Sequence, residues 1–178
     1  MQKRRNIVLT GFMGTGKTSV GKILAKKLGF KFVDVDDIIE KKEGMKISDI
    51  FKKFGENRFR EIEAEMIKLI AKKRGQVIST GGGAVLRDEN MDALKSTGVV
   101  FCLTASEDTI FERVKNSNNR PLLQFEDLKG KIRELLRKRM DKYMNAHFLI
   151  NTEGLTPEEV AEKIIEEYER FVYGKNKS

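Results

Sequence analysis

The sequence predicts an α/β fold, a parallel β-sheet with helices on both faces, from three observations. Short apolar runs alternate with amphipathic stretches five times over, and strands separated by helices pair in parallel. The apolar runs are short and unbroken, as in Ile7-Val8-Leu9, which is the pattern of strands covered on both sides. No repeat of fixed period and no low-complexity linker divides the 178 residues, so one domain spanning 1–178 is expected.

In chain order, Ile7 to Leu9 reads as the first strand. From Lys17 to Leu28 the apolar residues Val20, Ile23, Leu24 and Leu28 recur at helical spacing, and Gly29 ends that helix. Phe30 to Val35 reads as a second strand, Val77-Ile78 as a third, Val99 to Leu103 as a fourth and Phe148 to Ile150 as a fifth. Helical patterns fill residues 57–73, 88–96, 106–115, 127–143 and 157–172. The last opens on Thr156-Pro157-Glu158-Glu159, an N-cap, a proline at the first helical position and acids in the first turn. Two stretches interrupt the alternation. Residues 37–63 hold extra helical material, and 115–126 hold Asn, Ser, Arg and Pro with little apolar content, a loop. Both are insertions of the kind that closes over a ligand.

Composition excludes several classes. At 39% hydrophobic and 35% charged residues, the chain can bury a core and is not disordered. The single cysteine, Cys102, cannot form an internal disulfide, and no apolar run approaches the ~18 residues of a membrane span. The basic start is followed by an apolar stretch broken at Gly11 and Gly14, not a signal sequence. A soluble, cytoplasmic protein with no membrane partner is expected. The net charge of +8 leaves nucleic acid, lipid or a small anion as partners to be distinguished by other features.

Gly11-Phe12-Met13-Gly14-Thr15-Gly16-Lys17-Thr18 fits G-x-x-x-x-G-K-[ST], lying directly after an apolar strand and directly before an amphipathic helix. Residues without Cβ let backbone N–H groups turn inward around phosphate oxygens, and the helix start adds its positive dipole end. Lys17 is placed for the β- and γ-phosphates and the Thr18 hydroxyl for Mg²⁺. Gly14, Thr15, Gly16, Lys17, Thr18 and Ser19 are therefore the expected nucleotide-phosphate set. No Asn-Lys-x-Asp follows a late strand, which argues against a guanine-reading switch. Small size and an insertion after the second strand favour a kinase for a small acceptor.

Four further segments carry a specific likeness: Asp34-Val35-Asp36, Phe59-Arg60-Glu61-Ile62-Glu63, Ser79 to Val85 with Gly81-Gly82-Gly83, and Arg120-Pro121-Leu122-Leu123. Arg139, with Tyr143 four residues later, adds a fifth. With the phosphate loop, these resemble the shikimate kinase family over essentially the whole chain. The resemblance implies a P-loop kinase fold with strand order 2-3-1-4-5. It implies transfer of the ATP γ-phosphate to the shikimate 3-hydroxyl with Mg²⁺, giving shikimate 3-phosphate and ADP in aromatic amino-acid biosynthesis.

Roles follow by residue. Asp34 and Asp36 lie two apart on the presumed strand and so share a face; the alternative is a pair of acids opening a helix. The resemblance assigns Asp34, with Thr18, to the metal and Asp36 to the acceptor hydroxyl. Arg60 sits among Glu56, Glu61 and Glu63, the setting of an ordinary surface salt bridge. The resemblance instead gives Arg60 and Arg139 to the acceptor carboxylate and places Gly81 and Gly82 against the acceptor. It gives Arg120 and Arg113 to ATP. Lys17, Asp36 and Arg120 form the expected catalytic group. The stripe Ile132, Leu135, Leu136, Met140, Tyr143 puts Arg139 beside the buried side of its helix.

Some positions depart from the family or stay open. Met140-Asp141-Lys142 lacks the proline often found between the late Arg and Tyr, and Asn151 to Leu155 offers no basic residue for adenine. His147 and Cys102 read as structural. Phe12 and Met13 face either the sheet edge or the acceptor pocket. A gluconate kinase is the alternative within enzymes. A nucleic-acid-binding module is the alternative outside them, disfavoured because the remaining lysines interleave with acids rather than with aromatics. A monomer is expected.

Overall fold

The sheet is built outward from its most apolar strand. β1 (Asn6–Gly11) is buried at every position and lies between β3 (Gln76–Ser79) and β4 (Gly98–Thr104). β2 (Lys31–Asp34) and β5 (Phe148–Asn151) form the edges, so the order is β2-β3-β1-β4-β5 with every pairing parallel. The computed structural model describes residues 4–116 and 126–174. The helices are α1 (Lys17–Leu28), α2 (Val35–Glu43), α3 (Ile47–Ala71), α4 (Asp88–Thr97), α5 (Glu107–Val114), α6 (Leu128–Tyr143) and α7 (Pro157–Tyr173).

Successive side chains of a strand point to opposite faces, and the two cores follow that rule. Ile7 and Leu9 meet Leu24 of α1 and Ile164 and Tyr168 of α7 on one face. Val8 meets Ile67 of α3, Met91 of α4 and Leu135 of α6 on the other. Register pairs Val8 with both Ile78 and Val100, which brings the C-terminal ends of β1, β3 and β4 to one level. That edge, continued by the end of β2, is where ligands bind in open α/β sheets.

Helix boundaries depart from the sequence reading in two places that shape the site. The helix expected to begin near residue 57 starts at Ile47, and the extra helical material of 37–63 is α2 together with the first turns of α3. Gly55, at φ 81° and ψ 169°, breaks α3 into two helical halves, a conformation in which a side chain would be strained. The strand read as Phe30 to Val35 stops at Asp34, because the Asp34 carboxylate accepts from the N–H groups of Asp36 and Asp37 and starts α2 at once. At α7 the expected cap is present as a reciprocal pair, Thr156 with Glu159. No helix among the described residues is long and apolar enough to cross a membrane.

Candidate active site

The turn leaving β1 depends on glycines where no other residue fits. Gly11, Gly14 and Gly16 adopt φ of 130°, 77° and 94°. A Cβ at Gly11 would strike the Leu103 carbonyl, and one at Gly14 would lie 2.8 Å from Val114 Cγ1. The loop is tied across by Thr15, whose hydroxyl donates to the Phe12 carbonyl at 2.7 Å. Lys17 is only 7% exposed, and its ammonium donates to the carbonyls of Gly11 (2.8 Å) and Phe12 (2.9 Å). α1 begins without a side-chain cap and without an acid in its first turn. Its leading N–H groups and dipole are therefore offered to an anion rather than to the protein. Thr18 and Ser19 are exposed at the same mouth.

The hydroxyl of Thr18 donates to Asp34 Oδ2 at 3.2 Å. Two hard oxygen donors thus meet beside the phosphate loop, and no larger His, Cys, Asp or Glu cluster able to hold a metal occurs among the described residues. This donor set fits Mg²⁺, which takes one or two protein oxygens and completes its shell with phosphates and water. The shared-face argument for Asp34 and Asp36 is corrected here. They do not lie on one strand: Asp34 is the N-cap of α2, and Asp36 stands in its first turn. The helical turn separates their directions, which leaves Asp34 toward Thr18 and Asp36 toward Gly81. A Cβ at Gly81 would sit 3.0 Å from Asp36 Oδ1 and 3.2 Å from Glu63 Oε1.

Beyond β3, the turn Gly81-Gly82-Gly83 lies between two arginines. Arg60 is 8% exposed, so the surface reading of this residue fails. Its guanidinium donates to Glu63 Oε2 at 2.8 Å and, more loosely, to Glu56 Oε1 at 3.3 Å. It fills the space next to Gly83, where any Cβ would collide with it. Arg139 is 3% exposed and reaches the other side of the turn, with its Nη1 3.6 Å from the place a Cβ of Gly82 would take. Arg139 lies within the buried stripe of α6, not beside it. Ile132, Leu135, Arg139 and Tyr143 are the buried positions, while Met140 is largely exposed. The Phe12 ring lies 5.8 Å beneath the Arg139 guanidinium, which decides the direction of that residue: from within the phosphate loop it faces Arg139.

Two residues of this cluster were not assigned from the sequence. Glu63 is fully buried, and its Oε1 has no hydrogen-bond partner. Burial pushes its carboxyl above the usual range, the Arg60 charge pulls it back, and the nearby Asp36 pushes it up again. The signal was present: Glu63 falls on the helical stripe Phe59, Ile62, Met66, Ile67, Ile70, a core position that only a paired acid can fill. Tyr143, buried on α6, donates its hydroxyl to the Gly82 carbonyl at 2.7 Å.

On the opposite flank, Arg113 of α5 donates to the carbonyl of Gly14 at 2.9 Å, which brings it to the phosphate loop. The loop after β5 reaches the start of the same helix through Glu153. Its carboxylate accepts from the N–H (3.0 Å) and hydroxyl (2.9 Å) of Ser106 and from the hydroxyl of Thr109 (2.5 Å). The expected residue Arg120 lies outside the described residues, as do 117–125 of the expected 115–126 loop. His147 and Cys102 take structural places. His147 Nδ1 accepts from the Val100 N–H at 2.9 Å, and burial pushes the Cys102 thiol up to about 11.

Residues 13–169 match the family model for shikimate kinase. A shikimate kinase of Thermodesulfovibrio yellowstonii is 70% identical over 171 residues, which cover 96% of this chain and 99% of that one. Among solved structures, the shikimate kinase of Acinetobacter baumannii in complex with shikimate superposes with a TM-score of 0.89 at 36% identity, covering 98% of this chain and 96% of that one. The Aquifex aeolicus shikimate kinase gives 0.83 at 37% identity, covering 96% and 99%. With a phosphate loop, two buried arginines about a glycine turn and a likeness that runs nearly end to end, the chain belongs to the shikimate kinase family.

Proposed function

We propose that this protein transfers the γ-phosphate of ATP to the 3-hydroxyl of shikimate. The observation that carries the acceptor assignment is the pair Arg60 and Arg139. They come from different helices, α3 and α6, and are both buried at the glycine turn beside the phosphate loop. Two planar guanidiniums at one place suit a carboxylate, which can accept from both in forked geometry. Neither an uncharged polyol nor a nucleic acid requires that arrangement.

On this reading Gly14, Thr15, Gly16 and Ser19 contribute the phosphate cradle, and Arg113 holds the nucleotide side. Lys17 exchanges its bonds to the Gly11 and Phe12 carbonyls for charge-assisted bonds to phosphate oxygens. Thr18 and Asp34 would hold Mg²⁺, which when bound offsets charge on the phosphates. Asp36 accepts a hydrogen bond from the acceptor hydroxyl and aligns its oxygen with the γ-phosphorus, the larger part of what a loose phosphoryl-transfer transition state demands. Gly81 and Gly82 let the acceptor ring approach the backbone. Residues 37–63 form the acceptor side, while 115–126 act as a lid bringing Arg120 to the transferred group. We assign a monomeric, cytoplasmic protein.

The test is ADP release with Mg-ATP and, in turn, shikimate, gluconate and nucleoside monophosphates. Shikimate alone should raise the rate above the ATPase background. Absence of that rise, or an equal rise with gluconate, overturns the assignment. Size-exclusion chromatography with light scattering checks the monomer.

A further inference from the structure

The three glycines after β3 carry no side chain to hold their peptide planes, yet the acceptor is to be read by this backbone. Two of the carbonyls are fixed locally: the Ala84 N–H donates to Gly81 and the Leu86 N–H to Gly83, both at 3.1 Å. The carbonyl between them, that of Gly82, accepts from a residue 61 positions away, the hydroxyl of Tyr143, at 2.7 Å. Tyr143 occupies the same buried stripe of α6 as Arg139, one turn further on. Its oxygen faces the Arg139 guanidinium, whose charge favours the phenolate but does not overcome burial, so the phenol is pushed up to about 12 and stays a donor at every working pH. Tyr143 thus meets both components of the proposed carboxylate site, the glycine turn and the arginine across it.

We propose that Tyr143 is a positioning residue for the acceptor: through the Gly82 carbonyl it sets the spacing between the glycine turn and Arg139 that a bound carboxylate requires. Without the hydroxyl, the buried Gly82 carbonyl must find another donor, and the Arg139 guanidinium is the charged donor beside it. Arg139 is then drawn onto the backbone and away from the ligand. The effect falls on the acceptor, because Tyr143 bonds to the glycine turn, whereas Lys17 and Arg113 bond to the phosphate-loop carbonyls of Gly11, Phe12 and Gly14.

This inference rests on the shikimate kinase reading, and one set of measurements separates the two. Wild-type protein lacking any shikimate-dependent ADP release would end the reading itself. Given that activity, Tyr143→Phe should raise the shikimate KM about 3- to 10-fold, the range for one neutral hydrogen bond, and leave the ATP KM within about twofold. A shikimate titration without nucleotide should show the same loss. Combined with Arg139→Lys, the effect should be smaller than the product of the two single effects, because both act through one contact. An unchanged shikimate KM, equal rises in both KM values, or strictly multiplicative effects would overturn the proposal. Tyr143→Met, which fills the site and donates nothing, gives the same readings if the Phe variant does not fold.

Discussion

Gly83→Ala isolates the placement of Arg60 without touching Arg60. Gly83 has φ −95° and ψ 0°, a backbone open to alanine, so the substitution adds no backbone strain. What it adds is a methyl group in occupied space. An ideal Cβ would lie 2.5 Å from Cζ of Arg60, whereas ordinary contact begins at 3.4 Å, so the guanidinium must retreat by about 1 Å. Arg60 is the end of a flexible side chain and can move, but a shift of that size takes its 2.8 Å bond to Glu63 out of hydrogen-bond range. It likewise misplaces the fork proposed to meet the acceptor carboxylate. Hydrogen bonds to charged groups contribute about 1.5–3 kcal/mol each, so the shikimate KM should rise about 10- to 100-fold. The ATP KM should hold, while Tm should fall, since the buried Glu63 loses its close partner and the lower entropy of the unfolded alanine chain offsets only about 0.4–1 kcal/mol of that loss. Steady-state kinetics with each substrate varied in turn reads this directly. A shikimate KM within twofold of wild type would show that the position of Arg60 does not matter to acceptor binding.

Three other predictions concern separate parts of the molecule. Asp36→Asn should lower kcat by about 10²- to 10³-fold while shikimate binding, measured by titration, weakens far less; near-normal kcat would remove Asp36 from the reaction. Glu153→Ala, which releases the start of α5 from the loop after β5, should raise the ATP KM and spare the shikimate KM; the reverse pattern would sever that loop from the nucleotide side. Burial lowers the pKa of His147, helped by the charges of Lys95 and Arg5, and protonation would set an N–H against the Val100 N–H. The unfolded chain therefore binds the proton first, and stability that is full above about pH 6.5 falls as pH drops below it. Urea midpoints at about pH 7.5 and about pH 5.5 should differ, and the difference should shrink in His147→Gln.

The phosphate loop was legible because its glycines are a local requirement, stated within eight residues and framed by a strand and a helix. The parallel sheet was legible from alternation, but its strand order came from resemblance, since no pattern within a strand names its neighbour. Glu63 and Arg139 were harder for one physical reason. Both are charged residues on apolar stripes, and a reading that expects charges at the surface moves them one position outward. In α6 that expectation admitted Met140 to the buried face and placed Arg139 next to it, the opposite of what packing gives. The shared face assigned to Asp34 and Asp36 failed because one carboxylate capped a helix two residues sooner than the apolar run implied.

The arginine in the core stripe of α6 has a consequence for how much stability this protein can hold. A leucine at position 139 would bury the same stem without desolvating a charge, and replacing buried ionic groups by well-packed apolar ones is often neutral or stabilising. The buried charge of Arg139 is thus held in the core of α6 for something other than stability, and on the proposed function it is held where the acceptor binds. On the proposed function, a carboxylate arriving between Arg139 and Arg60 would supply the counter-charge, so the complex should melt higher than the free protein. On the acceptor role proposed for Arg139, selection for heat resistance alone would erode a position that acceptor binding needs.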